Sequence, residues 1–264
     1  MNQSNPENRE IDLVQLDKMA RVNRQVINRL KERVSILENA LALTCDDPQM
    51  AWLYRNRSER MDATVELFSK ARAAFHLARY EFAAQFVDGK SVADLACGTG
   101  FGVRYLAEQG KAANVTGVDL CEQAIQYANA KHCVQACSFV AADATDTSLP
   151  PESFDVVTSF ETIEHVDDDG ALIAEFARIL KPGGMLICST PNQWPLEIAP
   201  HHVRVYDRKS FTKVLSGSFD IQSMHNQNSG SDFKYNHQQP AGITPTTDDN
   251  QDSAECFLAV ALRK

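Results

Sequence analysis

The sequence of 264 residues contains no apolar run that approaches the ~18–20 residues of a membrane-spanning helix. Residues 1–10 are polar and lack the apolar centre of a secretory signal peptide. Glycine and proline are also scarce, with 12 and 10 residues, which excludes collagen-like and low-complexity chains. From these absences we expect a globular, cytoplasmic protein that does not span a membrane.

Positive charge is in the minority, with 26 Lys and Arg against 35 Asp and Glu and a formal net charge of −9. Because a net-acidic chain lacks a general attraction for phosphate, we expect no nucleic-acid partner. The 7 cysteines are scattered, and Cys133 and Cys137 have no second pair with which to form a zinc site, so we expect reduced thiols. The aspartates at 167–169 precede a predicted helix, where acidic residues are common, and we therefore expect no metal ion.

Residues 11–44 carry a heptad pattern in which apolar residues are separated by three and four positions. The seam positions are Leu13, Leu16, Ala20, Asn23, Ile27, Leu30, Val34, Leu37, Leu41 and Thr44. This narrow stripe is typical of a coiled coil, and Ile or Val alternating with Leu favours two parallel strands. We expect residues 1–46 to form a coiled-coil arm that makes a homodimer; a single amphipathic helix packed on its own domain fits the same pattern. Asp46, Asp47 and Pro48 predict the end of this helix, because proline cannot continue its hydrogen bonds.

A second helical pattern covers about 65–86, within a predicted helical extension over 47–90. From Ser91 onward, apolar runs alternate with helical patterns. The predicted strands are 92–96, 115–119, 138–140, 154–159, 185–189, 219–224 and 256–262, and the predicted helices are 101–109, 122–131, 170–180 and 208–215. The alternation predicts an α/β fold over 91–264, a Rossmann-like, doubly wound sheet of seven strands whose last strand is antiparallel and pairs at the edge. The polar segment 225–253 is long enough to be either functional or disordered.

A glycine-rich loop with Gly98, Gly100 and Gly102 connects the first predicted strand to a helix. Glycine allows a sharp turn and a close ligand approach, and the helix start directs its N–H groups at the ligand. A dinucleotide site would need a further glycine where Val103 stands, so the loop disfavours a nicotinamide dehydrogenase.

Five motifs in this order resemble those of the class I S-adenosylmethionine-dependent methyltransferases. They are Val-Ala-Asp-Leu-Ala-Cys-Gly-Thr-Gly-Phe-Gly at 92–102, Val-Thr-Gly-Val-Asp-Leu at 115–120, Ala-Asp-Ala at 142–144, the segment 154–166, and Leu-Lys-Pro-Gly-Gly at 180–184. The resemblance implies S-adenosylmethionine as the cofactor. The segments 76–83, 189–192 and 202–206 are similar to bacterial methyltransferases associated with surface-polysaccharide and glycan biosynthesis.

The resemblance also implies which residues bind the cofactor. They are Asp94, Ala96, Gly98, Gly100, Asp119, Leu120, Asp143, Ala144, Phe160 and Glu161. Asp94 would hold the amino group, directly or through water, and Asp119 would accept hydrogen bonds from both ribose hydroxyls. Asp143 would accept from the adenine amine. A helix cap at Asp119 and a turn at Asp143 are the local alternatives.

Candidate catalytic residues follow the fourth predicted strand. His165 is the first candidate for a general base, because imidazole titrates near neutral pH and a hydroxyl acceptor must lose its proton. Its neighbour Glu164 is also a catalytic candidate. His202, in the loop after the fifth strand, is the second candidate base. In the alternative interpretation, the segment 161–166 is architectural.

The sequence therefore predicts a methyltransferase that O-methylates a sugar or glycan precursor. One alternative is a methyltransferase that acts on a quinone, a lipid or another small metabolite. The other is a non-catalytic protein that binds the cofactor and acts through its arm.

Overall fold

The structure, a computed structural model, describes residues 13–43, 45–58, 60–197, 199, 201–229, 241–250 and 253–264. The chain divides into two compact units, one that ends at Arg57 and one from Ser58 to Lys264. The sequence puts the end of the arm at residue 46, and the first unit continues beyond this point because a second helix follows.

The first unit contains helix α1, Leu13–Leu43, and helix α2, Pro48–Asn56. The helix predicted over the heptads is confirmed, and the four apolar seam side chains that the structure describes, Ile27, Leu30, Val34 and Leu37, are 44–64 % exposed. Pairing of these residues into a coiled coil stays a prediction. The side chains of Leu13, Leu16, Ala20 and Leu41, and all of Thr44, lie outside the described residues.

Helix α2 lies within the helical extension predicted over 47–90, but the sequence predicts Asp47 and Pro48 only as the end of the preceding helix and not as the start of a separate one. The Asp47 side chain accepts hydrogen bonds from the backbone N–H groups of Gln49 and Met50, at 2.9 and 3.3 Å. Proline is favoured at the first position of a helix, where its missing N–H group costs nothing. Asp47 and Pro48 therefore begin α2, whereas α1 ends before them, at Leu43.

The second unit is an eight-stranded sheet with helices on both faces. Its strands are β1 Ser91–Leu95, β2 Asn114–Asp119, β3 Cys137–Ala141, β4 Phe154–Phe160, β5 Leu180–Pro191, β6 Phe219–Asn228, β7 Gly242–Pro245 and β8 Cys256–Arg263. The strand order is β3-β2-β1-β4-β5-β8-β6-β7, and β1 to β5 are parallel to one another. The Rossmann-like, mostly parallel sheet is confirmed.

The prediction of seven strands is wrong, because β7 lies within the polar segment 225–253 and has only 4 residues. It pairs with β6 and forms the edge, whereas β8 lies between β5 and β6 and is antiparallel to both. The antiparallel pair of β6 and β8 exists, but it is not at the edge. Residues 230–240, 251 and 252 of this segment lie outside the described residues.

The described residues of this unit form five α-helices, together with a 3-10 turn over Ile163–His165. They are α3 Lys70–Ala84, α4 Phe101–Glu108, α5 Glu122–His132, α6 Asp169–Ile179 and α7 Arg208–Leu215. Helix α3 is shorter than the predicted 65–86, since the side chain of Ser69 caps it by accepting from the Arg72 N–H at 3.2 Å. On one face of the sheet, α6 and α7 bury Phe176 and Phe211 in the core that contains Phe257 of β8.

All seven cysteines are free thiols. Within the described part of the chain, no helix combines the length and the apolar character needed to cross a membrane.

Candidate active site

The loop between β1 and α4 has the backbone geometry of a ligand-binding turn. Ala96, Gly98 and Gly100 have φ angles of 64°, 57° and 83°, in the left-handed region that favours glycine. A Cβ atom on Gly100 would lie 2.6 Å from the Cβ of Ala128, whereas one on Gly98 would have no atom within 4 Å. The loop is thus packed against α5 on one side, at Gly100, and leaves room beside Gly98.

Asp119 at the end of β2 holds this loop in place. Its Oδ2 accepts hydrogen bonds from the Gly98 N–H at 2.9 Å and from Nη1 of Arg60 at 3.2 Å. Its Oδ1 accepts from the Cys121 N–H at 2.9 Å, so the residue also organises the start of α5. The sequence interpretation missed Arg60, because nothing in the pattern before α3 places its side chain near β2.

Asp94 is 1 % exposed, and both of its oxygens accept from protein hydroxyl groups. Tyr80 of α3 donates to Oδ2 at 3.1 Å and Thr158 of β4 donates to Oδ1 at 2.7 Å. Burial, with a smaller contribution from the charge of Asp119, raises the pKa of Asp94 to about 7, although the hydrogen bonds from Thr158 and Tyr80 lower it. Asp94 therefore titrates in the physiological range and lies beneath the loop.

The other adenosine-side candidates lie at the carboxyl ends of β2 and β3, the expected edge for a ligand. Leu120 is 71 % exposed, so its apolar side chain is accessible to a ligand at this edge. Asp143 forms a turn, in which its Oδ1 accepts from the N–H and the hydroxyl of Thr145, both at 2.8 Å. Ala144 follows it and packs at the margin of the core.

Phe160 is the last residue of β4, and Glu161 follows it. Phe160 packs edge-on against Tyr80, with ring centroids 5.0 Å apart. Glu161 has a φ of 53°, an uncommon conformation for a side chain of its size. Its carboxylate accepts from Ser189 Oγ at 2.8 Å and pairs with Arg79 at 3.4 Å, and these contacts hold the strained residue.

Arg79 is a site residue that the sequence interpretation missed. It is 1 % exposed, donates to Gln227 at 2.7 Å, and lies over the ring of Phe75 at 4.8 Å. A buried arginine needs a carboxylate partner, which Glu161 supplies. No local signal marks it, because its partners come from β4 and β6.

Glu164, His165 and His202 lie together just beyond the end of β4. One possible ligand atom from each lies within 4.8 Å of the others. His165 and His202 pack edge-on with ring centroids 4.7 Å apart, and His165 Nδ1 lies 3.0 Å from the carbonyl oxygen of His201. Glu164 is 1 % exposed, and burial raises its pKa well above the usual value. The fold thus brings the three predicted catalytic residues to one place.

Two aspartates next to this cluster are structural. Asp168 caps α6 by accepting from the Ala171 N–H at 2.9 Å, as expected for acidic residues at a helix start. Asp169 accepts from Tyr206 at 2.7 Å and pairs with Arg204 at 2.5 Å. These contacts tie the loop that carries His202 to α6.

Comparison with known proteins agrees with this geometry. Residues 93–188 match a protein-family model described as a methyltransferase domain. The ubiquinone biosynthesis O-methyltransferase of Idiomarina loihiensis is 41 % identical over 124 residues, which cover 44 % of this chain and 50 % of that protein. The phthiotriol/phenolphthiotriol dimycocerosates methyltransferase of Mycobacterium tuberculosis is 33 % identical over 175 residues, which cover 63 % of this chain and 64 % of that protein. The chain thus spans about half to under two thirds of these relatives.

Solved structures share the fold. An N-methyltransferase from Bradyrhizobium japonicum, in complex with S-adenosyl-L-homocysteine, superposes with a TM-score of 0.54 at 17 % identity. The superposition covers 72 % of this chain and 87 % of that chain. The sheet and the loop after β1 define the Rossmann-like methyltransferase fold. Residues 93–188 thus form an S-adenosylmethionine-dependent methyltransferase domain, and S-adenosylmethionine is its cofactor.

Proposed function

We propose that the protein binds S-adenosylmethionine at the loop between β1 and α4 and O-methylates a sugar or glycan precursor. The observation that carries this proposal is the cluster of Glu164, His165 and His202, which the fold places beyond β4, the strand next to the cofactor loop. A site that only bound the cofactor would have no need of basic groups at this position.

The chain's own residues fit the cofactor. The space beside Gly98 and the N–H groups at the start of α4 suit the methionine part, with the backbone of Ala96 and Gly100 forming the turn. Asp94, at the base of the loop, serves its amino group.

The adenosine part extends along the ends of the next strands. Asp119 serves the ribose hydroxyls, Leu120 covers the adenine, and Asp143 and Ala144 contact its edge. Phe160 and Glu161 separate this region from the acceptor.

When bound, S-adenosylmethionine would supply an electrophilic methyl group, and its sulfur would keep the electron pair of the broken carbon–sulfur bond. The acceptor oxygen forms the new bond to carbon and loses its proton. His165 is the first candidate for the base that takes this proton, with His202 as the second candidate and Glu164 beside them. Positioning of the oxygen supplies most of the acceleration, and proton removal adds about 10²–10⁴-fold.

The sugar assignment is supported by the segments 76–83, 189–192 and 202–206, which resemble glycan-associated methyltransferases. All three have contacts at or near the residues that follow β4. Arg79, in the segment 76–83, pairs with Glu161, and Thr190, in 189–192, donates to Glu164 at 3.1 Å. Asn192 bridges to Tyr206 of the third segment, 202–206, which also carries His202.

A hydroxyl of a quinone precursor or a lipid is the second candidate. It is favoured by the similarity to a ubiquinone biosynthesis O-methyltransferase and by apolar side chains near His202. Leu196, Val203 and Val205 are 42–48 % exposed, which is apolar surface that a hydrophobic acceptor could cover.

The test is methyl transfer from radiolabelled S-adenosylmethionine to two acceptor panels, nucleotide sugars with free hydroxyls and catechols with lipid-like tails. Turnover with the first panel alone supports the sugar assignment. Turnover with the second alone replaces it with the quinone or lipid assignment. Micromolar binding of S-adenosylhomocysteine without turnover on either panel would favour the non-catalytic alternative.

We also propose that α1 pairs with α1 of a second copy through its seam, and that the protein works in the cytoplasm. The exposed seam residues Ile27, Leu30, Val34 and Leu37 support the pairing, because an apolar stripe of this kind is stabilised by burial against a partner.

A further inference from the structure

The cluster beyond β4 has a ligand set suited to a metal ion. It offers one carboxylate oxygen and two imidazole nitrogens, all within 4.8 Å of one another. Three protein ligands with at least one position left open are typical of metal sites that act on a substrate oxygen. A set of two histidines and one carboxylate suits first-row divalent metals such as Zn²⁺, Mn²⁺ and Fe²⁺.

Glu164 supplies independent support, because one of its oxygens is buried without a hydrogen-bond partner. Oε2 accepts from Thr190 Oγ1 at 3.1 Å, whereas Oε1 has no hydrogen-bond partner. Its side chain is only 2 % exposed, and a buried carboxylate oxygen without a partner is costly. Oε1 lies 3.8 Å from Nε2 of His165, so it is directed into the cluster.

His165 is oriented by a contact typical of metal-binding histidines. Its Nδ1 lies 3.0 Å from the carbonyl oxygen of His201, so Nδ1 carries the proton and the lone pair is on Nε2. Two ligands bound to zinc at about 2.1 Å with tetrahedral angles are about 3.4 Å apart. The observed 3.8 Å between Oε1 and Nε2 needs only a small side-chain shift to reach this value.

The third ligand comes from a loop that is fastened to the other two. The Val203 N–H donates to the carbonyl oxygen of Glu164 at 2.8 Å, which fixes the backbone next to His202 beside the 3-10 turn. The sequence predicted no metal ion, because the aspartates at 167–169 precede a helix and Cys133 and Cys137 lack a second pair of cysteines. Glu164 and His202 are far apart in sequence, and only the fold joins them.

We propose that Glu164, His165 and His202 bind a divalent transition-metal cation, which binds the acceptor hydroxyl. The inference rests on the proposed oxygen acceptor and deepens it. A cation lowers the pKa of a hydroxyl that binds to it. The proton then leaves to solvent, the oxygen takes the methyl group, and His165 acts as a ligand rather than as the base.

The experiment is calorimetric titration of metal-stripped, full-length protein with Zn²⁺, Mn²⁺ and Mg²⁺. We expect one ion per chain, with Zn²⁺ bound more tightly than Mn²⁺ and Mg²⁺ weakest. Glu164→Gln, His165→Ala and His202→Ala should each weaken binding at least tenfold, since even loss of an outer contact costs about 10–100-fold. Glu197→Gln, which changes an exposed carboxylate in the loop after β5, should leave it unchanged.

Titration of each variant with S-adenosylhomocysteine shows that it is folded, because the cofactor loop lies outside the cluster. Absence of saturable binding by the wild-type protein, or unchanged binding by all three variants, would overturn the cation site. Full methyl transfer by metal-stripped protein would overturn it as well and leave the proposed function intact. Cation binding without turnover on either acceptor panel would support the site and count against the acceptor.

Discussion

Arg60 contacts Asp119 through Nη1 and Oδ2 at 3.2 Å, and this contact occupies an oxygen that already accepts from the Gly98 N–H. A carboxylate can accept about four hydrogen bonds, and the Cys121 N–H is the third donor to Asp119, which leaves one acceptor position. A ribose diol needs two. For Asp119 to accept both hydroxyls, Arg60 must withdraw when the cofactor binds.

We therefore expect opposite results from two variants at this pair. Asp119→Ala should weaken S-adenosylhomocysteine binding at least tenfold, because hydrogen bonds to a charged group contribute about 1.5–3 kcal/mol each. Arg60→Ala should not weaken it, since the arginine competes with one hydroxyl. Calorimetric titration measures both, and unchanged affinity in Asp119→Ala would rule out the ribose assignment.

Cofactor affinity should depend on pH through Asp94. Because burial raises the pKa of this residue to about 7, its carboxyl group is neutral at lower pH and loses its attraction for the cofactor's amino group. The dissociation constant for S-adenosylhomocysteine should rise as the pH falls below about 7, by up to about tenfold per unit. In Asp94→Asn this dependence should disappear; a variant that keeps the wild-type slope would show that another group titrates.

Replacement of His165 should separate turnover from cofactor binding. His165→Ala should lower kcat by about 10²-fold or more, whether the imidazole takes the proton or holds a cation. Affinity for S-adenosylhomocysteine should stay within about twofold, because the cluster acts on the acceptor. His225→Ala, at a half-buried histidine on β6, is the control and should keep its kcat. Equal activity in the two variants would move the catalytic role elsewhere.

Gly102 should tolerate no side chain. A Cβ atom there would lie 2.0 Å from the ring of Tyr80, which packs between Phe101 and Phe160 and donates to Asp94. Gly102→Ala should reduce the free energy of unfolding by about 1–3 kcal/mol and weaken cofactor binding, because the ring must move. Gly217→Ala, whose nearest contact would be 4.0 Å away, is the matched control. Urea denaturation that gives equal midpoints for the two would contradict the close approach.

In the proposed dimer, the seam of α1 contacts the α1 helix of the second copy, so only substitutions in the seam should separate the two chains. Ile27 is a seam residue and Ile36 is not, although both are exposed, at 49 % and 62 %. Ile27→Lys should halve the solution mass measured by light scattering, whereas Ile36→Lys should not, and deletion of residues 1–46 should give the mass of one truncated chain. A mass of two truncated chains in the deletion would reject pairing through the arm.

Periodicity in the sequence predicts most of the second unit, because strands buried on both faces and amphipathic helices leave local patterns. Helix α7 is found over the predicted residues, Arg208–Leu215, and the other strands and helices from β1 onward differ mainly at their ends. Strand β7 was not predicted, because its four residues, Gly-Ile-Thr-Pro, are too few to show an alternation of apolar side chains.

The candidate site was only partly predictable. Motifs place Asp94, Asp119 and Glu161 at strand ends, since each lies within a few residues of a recognisable strand. Arg60 and Arg79 could not be found this way, because a partner from a distant strand decides their role. The meeting of His202 with Glu164 likewise depends on the path of the loop after β5.

The position of β8 has a consequence for how the chain acquires its structure during synthesis. This strand, Cys256–Arg263, fills the gap between β5 and β6, although it follows both in the chain. While the ribosome is still translating, β5 and β6 have emerged, but the strand that joins them does not yet exist. We therefore expect a nascent intermediate in which β1 to β5 have assembled and the backbone N–H and C=O groups along the free edge of β5 are unpaired, a state exposed to aggregation until β8 has been synthesised.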